Sequence, residues 1–163
     1  MWRFRSSAPP IVWIFCDGGL GMAEYETPPP GVVLPLHAGC GALARGDDGA
    51  ILDWAWRTLP SVTSVEAEYA GLLLGTELAH RIRPREICFV MDSATVVGQM
   101  TGRYAVNSRN LRRWRERVCV ALSPWPGARF RHVPRAWNAL ADALGRQAGL
   151  PWEALRAELE KEM

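Results

Sequence analysis

The 163-residue sequence has no apolar run long enough to cross a bilayer. Its opening, MWRFRSSAPP, lacks the apolar block of a secretory leader. Both absences predict a soluble, cytoplasmic protein with no membrane partner. Histidine occurs three times, and the four cysteines (Cys16, Cys40, Cys88 and Cys119) are widely spaced with no C-x-x-C pair. That spacing argues against a zinc site or a disulfide framework and predicts reduced, buried thiols. A Cys16–Cys88 bridge is further opposed by strand alternation, which turns the two side chains to opposite faces. No repeat and no low-complexity linker divides the chain, so its length suits one compact domain.

Lysine is nearly absent: arginine supplies 18 of the 19 basic residues. The net charge of +2 conceals an asymmetry. Residues 103–135 carry nine arginines against the single acid Glu116, whereas residues 1–60 carry four arginines against six acids. Such a block is more often a solvated face than a binding site. Its size nonetheless favours a polyanionic partner, nucleic acid first.

Periodicity places the elements. Residues 11–16 read as a buried strand, followed by an irregular stretch from Leu20 to Leu36 that contains TPPPG. HAGCGALARGDDGAILDWAW reads as a hairpin turning at Asp48-Gly49. Thr63 or Ser64 caps a helix over about 65–81. REICFVMDS is a second buried strand, and ATVVGQMTG a short helix closed by Gly102. SRNLRRWRERVCVAL is an amphipathic helix with Leu111, Trp114, Val118 and Leu122 on one stripe. ARFRHVPR is a last strand, AWNALADALGRQAG a helix ending at Gly149, and PWEALRAELEKEM a further short helix. This order predicts an α/β fold: a mixed sheet that starts as an antiparallel meander and carries helices on its faces.

Two buried strands run into acids, Asp17 and Asp92. If those strands are parallel neighbours, their carboxyl ends share one rim, where ligands bind in open sheets. A single such acid is most simply a helix cap or a turn residue; recurrence at equivalent ends weakens that reading. Neighbouring carboxylates repel unless a cation sits between them, and an all-oxygen site suits magnesium or manganese. Glu66 and Glu68, two apart on one helix, cannot both face the rim. Asp142 interrupts the apolar pattern of NALADALG.

Together CDGG, AEY, MDSATVVGQMTG and VPRAWNALADALGRQA resemble the type 1 ribonucleases H, in the branch lacking the basic protrusion. The likeness runs from about Val12 to Gly149. It implies a ribonuclease H-like, five-stranded mixed sheet, with residues 1–10 an N-terminal extension, 11–149 the catalytic domain and 150–163 a helical tail. It implies a metal-binding catalytic set of Asp17, Glu68, Asp92 and Asp142, which selects Glu68 over Glu66. It also implies two Mg2+ ions, with Mn2+ as substitute. Asp17 would bridge both, Glu68 and Asp92 completing one shell and Asp142 the other. The implied activity is hydrolysis of the RNA strand of an RNA–DNA hybrid, leaving 5′-phosphate and 3′-hydroxyl ends.

For substrate contacts, the resemblance points to Gly18 and Gly19 near the sugar-phosphate backbone, to Thr63 and Ser64 at 2′-hydroxyls, and to Ser93 and Asn138. Arg112 and Arg113 fall where the family meets the DNA strand's phosphates. Three departures stand out. Val65 replaces a hydrogen-bonding residue, the Pro-rich insertion follows DGGL, and the loop histidine of some members has no counterpart, His37, His80 and His132 reading as core or surface residues. No obligatory protein partner is evident. The rival readings are a nucleic-acid-binding module of the same fold, which would not need four acids, and the same chemistry on double-stranded RNA.

Overall fold

Five strands form one mixed sheet in the order β3-β2-β1-β4-β5. The computed structural model describes residues 8–22, 36–60 and 62–146. The expected tail helix, the N-terminal extension before residue 8 and most of the Pro-rich insertion lie outside the described residues. β1 (Ile11–Met22), β2 (Leu36–Gly46) and β3 (Ile51–Leu59) make the antiparallel meander. The turn between β2 and β3 contains Gly49 at φ +82°, a conformation open to glycine, as the Asp48-Gly49 pair predicts. β4 (Glu86–Met91) and β5 (Arg129–His132) add in parallel on the other side of β1.

The helices are α1 (Ser64–Ile82), α2 (Ala94–Met100), α3 (Arg109–Ala121) and α4 (Ala139–Gly145). Thr63 caps α1 in a reciprocal box: its side chain accepts from the Glu66 N–H, and the Glu66 carboxylate accepts from the Thr63 N–H at 2.8 Å. Glu66 therefore serves the helix start. The first turn of the expected last helix is instead a 3-10 turn, Arg135–Asn138, before α4 begins. The stripe of Leu111, Trp114, Val118 and Leu122 on α3 packs on the main core, as its spacing requires.

Two corrections concern β1 and the cysteines. The sequence suggests that the first strand ends at Asp17, yet β1 continues to Met22 because β2 keeps pairing with it as far as Met22↔Leu36. It is the parallel partner that stops: β1–β4 pairing ends at Phe15↔Val90. Asp17 therefore stands just past the end of its neighbour rather than at the end of its own strand. Among the cysteines, Cys16, Cys40 and Cys88 are buried, but Cys119 is exposed on the solvent side of α3.

The two sheet faces are packed by different elements. Val12, Ile14 and Cys16 belong to the main core with α1, α2 and α3. Phe15 and Leu43 face the other way, with Leu140, Ala143 and Leu144 of α4. Asp17 shares this second face by alternation.

Candidate active site

Asp17 is brought to Glu68 by close packing of α1 on β1. A Cβ on Gly71 would lie 2.3 Å from the Asp17 carbonyl oxygen, and one on Gly18 would lie 1.8 Å from the Ala67 carbonyl oxygen. Both positions must be glycine for the helix to approach so near. The Gly18 N–H then donates a hydrogen bond to the Glu68 carboxylate. Gly18 is thus a packing residue turned toward α1. Gly19, by contrast, faces open space.

Asp142 arrives from the opposite face by the same device. In β2, Gly41 pairs with Asp17 and Gly39 with Gly19. A Cβ on Gly41 would sit 2.5 Å from the Ala141 carbonyl oxygen, and one on Gly39 would sit 2.1 Å from that of Gly145. The alternating glycines of "GCG" let α4 lie against the strand, and Asp142 hydrogen-bonds the Asp17 side chain. Sequence reasoning missed this; its signal was two glycines at strand period opposite the key acid.

Asp92 follows β4 and is held by Asn138. The Asn138 amide Nδ2 donates to the Cys16 carbonyl at 2.8 Å and to Asp92 Oδ1 at 3.2 Å. Asn138 is 1% exposed, so it ties the backbone preceding Asp17 to the acid of the adjacent strand. His132, at the end of β5, is exposed, with Nε2 3.2 Å from the Asp92 carbonyl oxygen.

Carboxylate oxygens of Asp17, Glu68 and Asp92 lie within 4.8 Å of one another, and among the described residues this is the one acid cluster spaced to hold a metal ion. Asp17 is 8% exposed. Burial, then the charges of Glu68 and Asp92, raise its carboxyl well above the ordinary value, and the Asp142 hydrogen bond adds to this. Burial and then the Asp92 charge push Glu68 up to about 8, against the lowering effect of the Gly18 N–H. Glu68 Oε2 is buried with no hydrogen-bond partner among the described residues. An orphaned acceptor beside two further carboxylates is the donor set of a hard divalent cation, which would relieve both the repulsion and the missing bond. The residues fit the metal that the sequence implies.

The other predicted positions lie around this cluster or away from it. Ser93 caps α2, its hydroxyl accepting from the Val96 N–H at 3.3 Å. Thr63 and Ser64 are exposed at the start of α1. Arg112 and Arg113 are exposed on α3, and Arg112 donates to the Asn107 carbonyl at 3.4 Å. Arg146, which sequence reasoning passed over, donates from Nε to Asp142 Oδ1 at 3.0 Å, and Arg135 lies 3.7 Å from the same oxygen.

The family model described as reverse transcriptase-like matches residues 31–148. The chain belongs to that family and is ribonuclease HI-like. The matched stretch includes Glu68, Asp92 and Asp142 but begins after Asp17, which joins the set through β1. The ribonuclease HI of Halobacterium salinarum is 34% identical over 114 residues, covering 70% of this chain and 57% of that protein. The crystal structure of RNase H1 from the same archaeon superposes with a TM-score of 0.73 at 30% identity, over 85% of this chain and 96% of that one. LC11-RNase H1, solved in complex with an RNA/DNA hybrid, gives a TM-score of 0.69 at 26% identity, over 83% and 94%. The chain spans 32% to 57% of the length of the curated relatives it matches.

Proposed function

We propose that the protein is a metal-dependent endoribonuclease that hydrolyses the RNA strand of RNA–DNA hybrids, leaving 5′-phosphate and 3′-hydroxyl ends. The observation that carries this reading is the convergence of Asp17, Glu68 and Asp92 within 4.8 Å, with Asp142 hydrogen-bonded to Asp17. Family membership supports it, as does the similarity to LC11-RNase H1, whose structure contains an RNA/DNA hybrid. The proposed catalytic domain is residues 11–149, and the proposed cofactors are two Mg2+ ions, replaceable by Mn2+. When bound, such ions supply activation of a water and stabilisation of the leaving 3′ oxygen.

The chain's own residues hold and orient. Asp17 would hold the ions from a strand paired on both sides up to Phe15. Glu68 and Asp92 would be further ligands beside it, and Asp142 would supply a fourth carboxylate. Asn138 positions Asp92 by its amide and anchors the Cys16 carbonyl, so the two strand acids keep one relative orientation. Gly19, open to solvent, leaves room for a sugar-phosphate backbone. Thr63 and Ser64 are proposed to meet 2′-hydroxyls at the α1 start, Ser93 to contact the strand beside Asp92, and Arg112 and Arg113 to meet phosphates of the DNA strand. No helix among the described residues is long and apolar enough to cross a membrane. We assign no protein partner and read the chain as cytoplasmic.

The test is direct. Labelled hybrid, double-stranded RNA and double-stranded DNA are incubated with the protein and Mg2+ or Mn2+, beside Asp17→Asn. Cleavage confined to the RNA strand of the hybrid is expected, and lost in the variant. Absence of hybrid cleavage with either ion would overturn the reading.

A further inference from the structure

Asp142 differs from the other three acids in what already touches it. Asp17, Glu68 and Asp92 gather within 4.8 Å, whereas Asp142 stands outside that group. Its Oδ1 accepts the Arg146 Nε at 3.0 Å and lies 3.7 Å from a terminal nitrogen of Arg135. Its carboxyl is also hydrogen-bonded to Asp17. The fourth acid is therefore charge-compensated before any ion arrives.

We propose that Arg146 competes with a divalent ion for the Asp142 carboxylate, so that this fourth acid is recruited only at higher metal concentration than the Asp17–Glu68–Asp92 trio. The inference rests on the metal-dependent reading above. The physical reason lies in the sign of the partner. Outer partners that accept a proton from a ligand make that ligand more basic and strengthen metal binding. A guanidinium does the reverse: it donates to the carboxylate, withdraws charge and adds a repelling cation of its own.

The geometry makes the competition reversible. Arg146 caps the C-terminal end of α4, four residues after Asp142, and its side chain is 53% exposed. It can swing into water without leaving a buried charge behind. Arg135, at 68% exposure, can do likewise. The trio, by contrast, is held by β1, by α1 through the Gly18 N–H and by Asn138, and Glu68 Oε2 has no hydrogen-bond partner among the described residues, the Arg135 charge reaching Glu68 only at longer range. Two binding steps of unequal strength follow, the stronger at the trio and the weaker at Asp142.

Calorimetric titration of the intact chain with Mn2+ tests this, using Arg146→Gln, Arg146→Lys and Asp142→Asn, alongside the Mg2+ concentration giving half-maximal hybrid cleavage. Asp142→Asn should remove the weaker step and leave the stronger one. Arg146→Gln should strengthen the weaker step about three- to tenfold and lower the half-maximal Mg2+ by a similar factor, with the stronger step unchanged. Arg146→Lys should behave as the parent, and the gain in Arg146→Gln should shrink in 0.5 M salt, where the Debye length falls to about 4 Å and exposed charges are largely screened. An unchanged or weakened second step in Arg146→Gln overturns the proposal, as does the absence of any Asp142-dependent step. If no Mn2+ binds at all, it is the metal-dependent reading that fails.

Discussion

At the scale of single residues, Asp17 and Gly18 carry opposite predictions for stability and for activity. Asp17 is buried among like charges, so it destabilises the metal-free fold while serving the site. Replacing it with asparagine keeps the shape and the hydrogen-bonding capacity toward Asp142 but removes the charge. Asp17→Asn should therefore stabilise the metal-free protein at pH 7 by on the order of 1–2 kcal/mol, a rise in melting temperature of roughly 2–8 °C. It should also lower kcat by at least about 100-fold. A thermal melt in chelator and a hybrid-cleavage assay check the two halves. Gly18→Ala should do the reverse: its Cβ would fall 1.8 Å from a helix carbonyl oxygen, so α1 must retreat. A stability loss of about 1–3 kcal/mol is expected, with cleavage lost because Glu68 leaves with the helix. The acid was legible in CDGG; the reason for the glycine after it was not, since that reason lies in a helix about fifty residues away.

At the scale of elements, the site depends on two helices docked from opposite faces through glycine. α4 is only seven residues long and is positioned by Gly39 and Gly41. Gly41→Ala should push α4 off β2, separate Asp142 from Asp17 and lower kcat by about tenfold or more, while the main core, which α4 does not enter, keeps the protein folded. Far-ultraviolet circular dichroism with the cleavage rate separates those effects. On α3, the arginines not used in packing belong to the nucleic-acid reading. Arg112→Ala with Arg113→Ala should raise KM for hybrid and reduce the slope of log KM against log salt by about 1–2. An unchanged slope would mark them as solvated charges. The sequence read these elements well where periodicity speaks: the meander, the capped α1 and the α3 stripe all follow from local pattern. It placed the end of β1 too early, because an aspartate and two glycines look like a strand stop. In the fold they are the place where β2 and the two helices all come closest.

At the scale of the whole molecule, the cluster couples stability to pH and to metal. Asp17 and Glu68 both hold protons more tightly folded than unfolded, with Glu68 raised from 4.5 to about 8. Below the unfolded values both groups are neutral in either state and carry no penalty. As pH rises through the window from about 3.8 to about 9, the unfolded chain releases these protons first, so the two groups' contribution to stability is progressively lost. In chelator, the difference in melting temperature between the parent and Asp17→Asn should therefore widen with pH across that window. Added Mg2+ should reverse the trend, because binding requires the carboxylates to be ionised and is itself stronger at higher pH. At a hundred times its dissociation constant, an ion adds about 2.7 kcal/mol to the folded state. Asp17→Asn should lack most of that gain. Differential scanning fluorimetry over pH, with and without metal, reads all three outcomes.

The sequence by itself determined the element order, the mixed sheet, the turn at Asp48-Gly49, the cap of α1 and which acids are proposed for the site. These are written in local patterns of period two and 3.6, in turn residues, and in motifs whose order along the chain resembles a family. Only the tertiary structure decided that Asp17 stands beyond the end of β4, that α1 closes on β1 at Gly18, and that α4 reaches Asp17 past Gly39 and Gly41. Each of those depends on where a neighbouring strand stops or on how near a helix can come. Such facts are set by packing between residues distant in the chain, and no local pattern records them.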